Sequence, residues 1–185
     1  RLISSYGPDI QAVHRLDMDT SGIILFAKDS ETAINLRRQF EEREIQKTYI
    51  ARLSPQAVNR FICPSYLKEG DEGRISLPLS PDYDERPRQK ADSIQGKHSL
   101  TAYEVTAILP DGSIDILFHP HTGRTHQLRV HSAHILGLGH PILGDLLYGG
   151  DCASRLYLHA AYLSFHHPVT GERLTFSTSS NGFEE

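Results

Sequence analysis

Apolar residues recur along the chain with different periods, and each period predicts a different element. Ile23-Ile24-Leu25-Phe26-Ala27 is an unbroken apolar run between Gly22 and a charged pair, the pattern of a strand buried on both faces. Over residues 30–44, Ala33, Ile34, Leu36 and Phe40 recur at helical spacing while Arg and Glu alternate on the other side, so a helix capped by Ser30 is expected. Residues 47–53 alternate Tyr49, Ala51 and Leu53 against Thr48, Ile50 and Arg52, which reads as a strand. Residues 103–109 and 113–118 flank Pro110-Asp111-Gly112 and form a hairpin pattern, with Ile114, Ile116 and Phe118 on one side. A second helix is expected over residues 125–137, with Leu128, His131 and Ile135 as its stripe. A last hairpin joins residues 156–166 to 173–177 across Pro168-Val169-Thr170-Gly171. Between these segments, residues 54–99 are rich in Pro, Gly, Asp and Ser, and read as long loops with at most a short hairpin. Strands and two helices without strict alternation give an α+β fold with a mixed, largely antiparallel sheet.

Composition narrows the class. A chain of 185 residues with 38% hydrophobic and 23% charged residues supports one domain that buries roughly 70% of its unfolded surface. The net charge of −4 carries no bulk basic excess, so any site for a polyanion must be local. The apolar runs are far shorter than the roughly 20 residues of a membrane helix, which disfavours a membrane or secreted protein. Cys63 and Cys152 form neither a disulfide framework nor a zinc knuckle, and read as free thiols of a reducing compartment. Met18 is the only methionine and the chain starts at Arg1, so the sequence reads as a piece of something longer.

Four segments could carry chemistry. His14-Arg15-Leu16-Asp17-Met18-Asp19-Thr20-Ser21-Gly22 is a polar loop feeding an apolar run. Its Asp17 suits either an ionised nucleophile with hydroxyl and guanidinium neighbours, or a turn in which Asp17 and Ser21 satisfy backbone donors. Residues 119–131, with His134 and His140 after them, gather histidines with Arg124 and Arg129 near a helix start, a pocket suited to phosphate or a developing anion. The same histidines suit a metal, but the interleaved arginines would repel a dication, and a solvated helix face is a third reading. Arg86-Pro87-Arg88-Gln89-Lys90 fits RNA phosphates, or a solvated loop balanced by Asp82, Asp84 and Glu85. Tyr49 could stack on a base or could simply be core. No phosphate-cradling glycine loop, dinucleotide fingerprint or nucleophile elbow is present.

Together these residues resemble the RluA class of pseudouridine synthases. His14-Arg15-Leu16-Asp17 with Thr20-Ser21-Gly22 is similar to that family's catalytic signature, and Lys47-Thr48-Tyr49-Ile50-Ala51 to its second motif. The stretch from Gly123 through Arg124-Thr125-His126-Gln127-Leu128-Arg129 to His131 is similar to the third, extended by Gly139-His140-Pro141-Ile142-Leu143-Gly144-Asp145. Leu158-His159-Ala160 with His167-Pro168 is similar to the C-terminal hairpin. The resemblance implies a single catalytic domain over residues 1–185, lacking an N-terminal segment, built on a mixed sheet with a central cleft. Residues 57–75 depart from the family pattern.

The resemblance also implies a reaction that detaches uracil from ribose, turns it and rejoins it through carbon 5, with no cofactor and no metal. Asp17 is then the essential carboxylate, either attacking the anomeric carbon or drawing off a ribose proton. Arg124 is its expected ion-pair partner, Tyr49 stacks on uracil and takes the carbon 5 proton, and Leu143 packs on the base's other face. The target nucleotide must be flipped out of its stack, and Arg15 is the candidate to fill the gap. His14, Thr20, Arg88, Lys90 and Arg129 are expected to contact substrate. The implied partner is structured ribosomal or transfer RNA, met by a cytoplasmic monomer. A non-catalytic RNA-binding module and a metal hydrolase using residues 119–140 stand as the alternatives.

Overall fold

The computed structural model describes residues 7–56, 67–179 and 183. β1 (Gln11–Ala12), β2 (Ser21–Gly22) and β3 (Phe26–Ala27) precede α1 (Ser30–Glu41) and the long strand β4 (Gln46–Leu53). β5 (Glu72–Ser76), β6 (Leu79–Pro81) and β7 (Gln89–Ala91) follow, then the hairpin of β8 (Leu100–Ile108) and β9 (Ile114–Pro120). α2 (Gln127–Ala133), a 3-10 turn (Leu146–Tyr148), β10 (Leu158–His166) and β11 (Arg173–Ser177) complete the order. The main sheet runs β11-β10-β4-β9-β8-β5, antiparallel throughout, and β2 joins β10 in parallel. This is the mixed, largely antiparallel α+β architecture that the sequence pattern predicts.

A bulge decides where the core divides. The register of β10 on β4 shifts between Ala160 and Tyr162, so Leu158 faces Ala51, Ala160 faces Tyr49 and Leu163 faces Lys47. Facing residues of an antiparallel pair project to one side, so the extra residue puts Leu158, Ala160 and Leu163 on a common face. Leu158 belongs to the larger buried cluster with Ala51, Ile116, Phe118 and Ile142. Leu163 and Phe165 belong to a smaller one with Val13, Ala33 and Leu36. Tyr49 and Lys47 therefore lie along the strand between two packed cores.

Several expectations from the sequence are corrected. The apolar run 23–27 is not one buried strand: only Phe26–Ala27 pairs, with β1, and Ile24 is 41% exposed. Its backbone donors are satisfied otherwise, Ile23 N–H by Ala160 O at 2.9 Å and Leu25 N–H by the His14 ring at 2.9 Å. In α1 the cap is Asp29, whose carboxylate accepts from Thr32 N–H at 2.7 Å, and Ile34 points outward at 67% exposure. The helix ends at Glu41 because Arg43 turns into the left-handed region at φ 62°. Residues 54–99 hold more order than loops: β5 pairs along its length with β8, and β6 and β7 form their own two-stranded sheet. Residues 57–66 of that stretch, with Cys63, lie outside the described residues, while Cys152 is a free, exposed thiol. The second helix is shorter than residues 125–137, because His126 is left-handed at φ 51° and His134 is extended. Among the described residues no helix is long and apolar enough to cross a membrane.

Gln39 is the buried polar exception on α1 and anchors the helix to the sheet. Its amide donates to His166 O at 2.8 Å and accepts from His166 N–H at 2.9 Å, completing the backbone pairing at the end of β10. Gln39→Ala is expected to cost about 1–3 kcal/mol in urea unfolding, the range for leaving such groups unpaired. A loss within about 0.5 kcal/mol, the ordinary scatter of surface substitutions, would show that the amide is no anchor.

Candidate active site

The loop carrying His14 to Thr20 is closed at both ends by contacts that only its own residues can make. At its exit, Ser21 and Gly22 pair with His159 and Ala160. Gly22 has φ +114°, and a Cβ there would overlap Ala160 O and lie 2.6 Å from Ala160 N, so glycine is required by both strain and space. The Ser21 hydroxyl lies 2.7 Å from His159 Nδ1 and receives an N–H from Arg155. At the entrance, His14 accepts from Leu25 N–H and packs on the Phe40 ring at a centroid distance of 4.8 Å. Burial, then the nearby Lys47 ammonium, lowers the His14 pKa to about 4, so the ring is neutral. His14 is thus a strut of the loop rather than a free RNA contact.

Within the loop, Asp17 O accepts from Thr20 N–H at 3.0 Å, a tight turn. Among the described residues no hydrogen bond or ion pair holds the Asp17 carboxylate, and the Thr20 hydroxyl is buried without a partner. Tyr49 lies below, paired between Ala160 and Phe118. Burial, and then the negative charge of Asp17, push its phenol up to about 12, so Tyr49 holds its proton at neutral pH. Both line a cleft of about 1110 Å³ that also takes in Arg15, Thr20, Lys47 and Arg124. Burial lowers the Lys47 pKa, while Leu128 and Leu158 give the cleft its apolar wall.

Arg124 reaches the cleft from the loop between β9 and α2. Buried Gln127 pins this loop, accepting from the Thr122 hydroxyl at 2.7 Å and Arg124 N–H at 3.0 Å while donating to Leu100 O and Thr101. The Arg124 side chain is exposed, with Nε donating to His98 O at 3.1 Å. It forms no ion pair with Asp17 in this structure, contrary to expectation. Arg129 is also reassigned: it is buried and bidentate to Asp145, at 2.8 and 2.7 Å, so its charge is already matched. Leu143 lines neither this cleft nor the smaller cavity beside it, its backbone being tied to Arg52 O and Tyr157 N–H. Arg88 pairs with Glu85 and lies over the Tyr148 ring, and Lys90 is 3.8 Å from Asp82, so acidic neighbours balance this loop. Arg15 is exposed at the mouth of the cleft.

Residues that pattern reading missed are Lys47, Gln127, His126, Asp145 and Tyr148. The Tyr148 hydroxyl accepts from Gln89 N–H at 2.7 Å and lies 2.9 Å from His126 Nδ1. Polar residues inside a helix and next to a 3-10 turn give no periodic signal; their position in a motif string is the only clue. Among the described residues no three His, Cys, Asp or Glu side chains group as a metal site.

A profile of the RNA pseudouridylate synthase family matches residues 4–134, which span the Asp17 loop, Tyr49 and the Arg124 loop. The chain belongs to that family, and its activity is that of an isomerase. Among curated proteins it is 45% identical over 175 residues to the dual-specificity RNA pseudouridine synthase RluA of Haemophilus influenzae, covering 92% of this chain and 74% of that protein. The RluA of Escherichia coli K12 is 42% identical over 178 residues, covering 94% and 75%. Among solved structures, human RNA pseudouridylate synthase domain containing 1 aligns with a TM-score of 0.76 at 31% identity, over 97% of this chain and 72% of that one. Human RNA pseudouridylate synthase domain containing 4 shares the fold, with a TM-score of 0.71 at 24% identity over 98% and 76% of the two chains.

The neutral His14 strut has a pH signature. Its folded-state pKa lies below the ordinary 6.5, so its contribution to stability is complete above pH 6.5 and is lost as the pH falls toward about 4. His14→Gln keeps an acceptor for Leu25 N–H but removes the titration, so its stability is expected to fall less steeply than wild type between pH 7 and 4. Parallel curves would contradict the assignment.

Proposed function

We propose that this chain converts uridine to pseudouridine in structured ribosomal and transfer RNA, with Asp17 as the essential carboxylate. The observation that carries this reading is the convergence of Asp17, Tyr49 and Arg124 on one cleft from segments more than thirty residues apart in sequence. The reaction breaks the N1–C1′ bond, forms a C5–C1′ bond and releases the C5 proton, with no change of oxidation level and no external energy. An unpaired carboxylate beside the cleft suits either attack at C1′ or removal of a ribose proton.

Tyr49 is the floor on which uracil stacks. As a phenol it enters the reaction protonated, so accepting the C5 proton requires passing its own onward, and Asp17 is the carboxylate coupled to it. Arg124 leaves a single exposed bond to His98 O to meet Asp17 or a phosphate when RNA excludes water from the cleft. Arg15, at the mouth, fills the stack that the extruded nucleotide vacates. The chain works as a cytoplasmic monomer without cofactor or metal. The curated relatives are named dual-specificity RNA pseudouridine synthases, which supports RNA as the substrate and more than one target.

The test is tritium release from ribosomal and transfer RNA transcripts carrying uridine tritiated at carbon 5. The wild-type chain is expected to release tritium to water, and Asp17→Asn to do so at least about 10²-fold more slowly, at ordinary RNA affinity. RNA binding without release by either protein would instead support a non-catalytic binding module.

A further inference from the structure

Beside the main cleft lies a second cavity of about 400 Å³, and Arg15 and Asp17 line both. Its walls are unlike those of the cleft. Met18 and Leu146 are 96% and 70% exposed, and neither belongs to either core cluster. Large apolar side chains held in the open at the rim of a cavity mark a contact surface. Pro87 and Leu147 continue the apolar lining.

The polar groups fix what the cavity accepts. Arg15 and Arg129 face three carboxylates, Asp17, Asp19 and Asp145, and Arg129 is already matched by Asp145. A phosphate would meet no net positive charge there, whereas a neutral ring with hydrogen-bonding edges meets no such penalty. His126 supplies a hydrogen-bonding group. The Tyr148 hydroxyl accepts from Gln89 N–H and lies 2.9 Å from His126 Nδ1, so one ring nitrogen is engaged and Nε2 is left for a base edge. Burial, then Arg129, lowers the His126 pKa and keeps it neutral. Its left-handed backbone, φ 51°, is a conformation held against local preference, as residues at functional sites often are.

We propose that this cavity is a nucleobase subsite for a nucleotide neighbouring the target uridine, with Met18 and Leu146 against the base and the His126 ring hydrogen-bonded to its edge. The proposal rests on the pseudouridine synthase reading and extends it, because a base seated here holds its neighbour at Asp17. It explains how a chain without bulk basic charge grips RNA next to the reacting bond. The volume is more than enough for one base, and the backbone of Gly144 fixes one wall: its φ is +80°, and an added Cβ would overlap Arg155 O.

The experiment compares RNA affinity across a salt series for wild type, the Met18→Ser/Leu146→Ser double variant and Leu136→Ser, using the more tightly bound of unmodified transfer RNA and large-subunit ribosomal RNA transcripts. Leu136 is 73% exposed and lines neither cavity, so it controls for loss of surface apolarity. The double variant is expected to bind at least tenfold more weakly at every salt concentration, with the slope of log K against log salt unchanged, because an uncharged contact releases no counterions. Leu136→Ser is expected to stay within twofold of wild type. A double variant within twofold of wild type, or one whose salt slope falls by about one unit, would overturn the proposal. Tritium release from the same RNA reports the isomerisation separately, so a chain that binds but does not isomerise fails that reading and still tests this one.

Discussion

The backbone of Gly22 lies against Ala160 with no room for a side chain between them, and the geometry of the cleft follows from that approach. Ala160 pairs in turn with Tyr49, and Tyr49 with Phe118, so one line of register runs from the loop into the buried sheet. The bulge after Ala160 turns Leu163 to the same face, which gives the second core cluster its place and leaves Lys47 and Tyr49 between the two. With His14 bonding Leu25 N–H at the other end, the loop that carries Asp17 has little freedom to move. For the role proposed for Asp17 such a constraint matters, since small misplacements of a catalytic group cost large factors in rate.

Around that loop many charges are matched, while the carboxylates of Asp17 and Asp19 have no ion pair among the described residues. Arg129 and Asp145 cancel inside the fold, Arg52 and Asp115 do the same at 2.7 Å across β4 and β9, and Arg88 pairs with Glu85. His14 and Tyr49 are held neutral by burial and by the charges beside them. The Asp17 carboxylate has no such partner among the described residues. It shares the cleft with the Tyr49 phenol, the exposed Arg15 and Arg124 and the buried Thr20 hydroxyl, and its charge also acts on Arg129 and His126. A group left this way in a cleft is available to substrate, and the same logic makes Arg124 adjustable and Arg129 not.

The sequence pattern made the long elements legible for a physical reason. β4 and the β8–β9 hairpin keep one face in the core, so alternation in the sequence records burial, whereas β10 is an apolar strand buried along nearly all its length. Ile23 to Ala27 misled because its backbone is satisfied by Ala160 and by the His14 ring, long-range partners that leave no periodic trace. Motif strings located Asp17, Tyr49 and Arg124 but not their working state. Whether an arginine is spent on a buried partner depends on Asp145, sixteen residues beyond Arg129, and composition is silent on that pairing. His126 stood in a motif string, but its contact with Tyr148, twenty-two residues on, leaves no periodic trace.

Backbone contact at Gly22 sets where Asp17 stands in the cleft it shares with Tyr49. The most direct measurement is the single-turnover isomerisation rate of Gly22→Ala on saturating RNA, with circular dichroism to confirm that the sheet is intact. The added methyl must displace the loop from Ala160, so a fall of about 10²-fold or more in rate is expected in a folded, RNA-binding protein. A folded Gly22→Ala protein that turns over at the wild-type rate would contradict it.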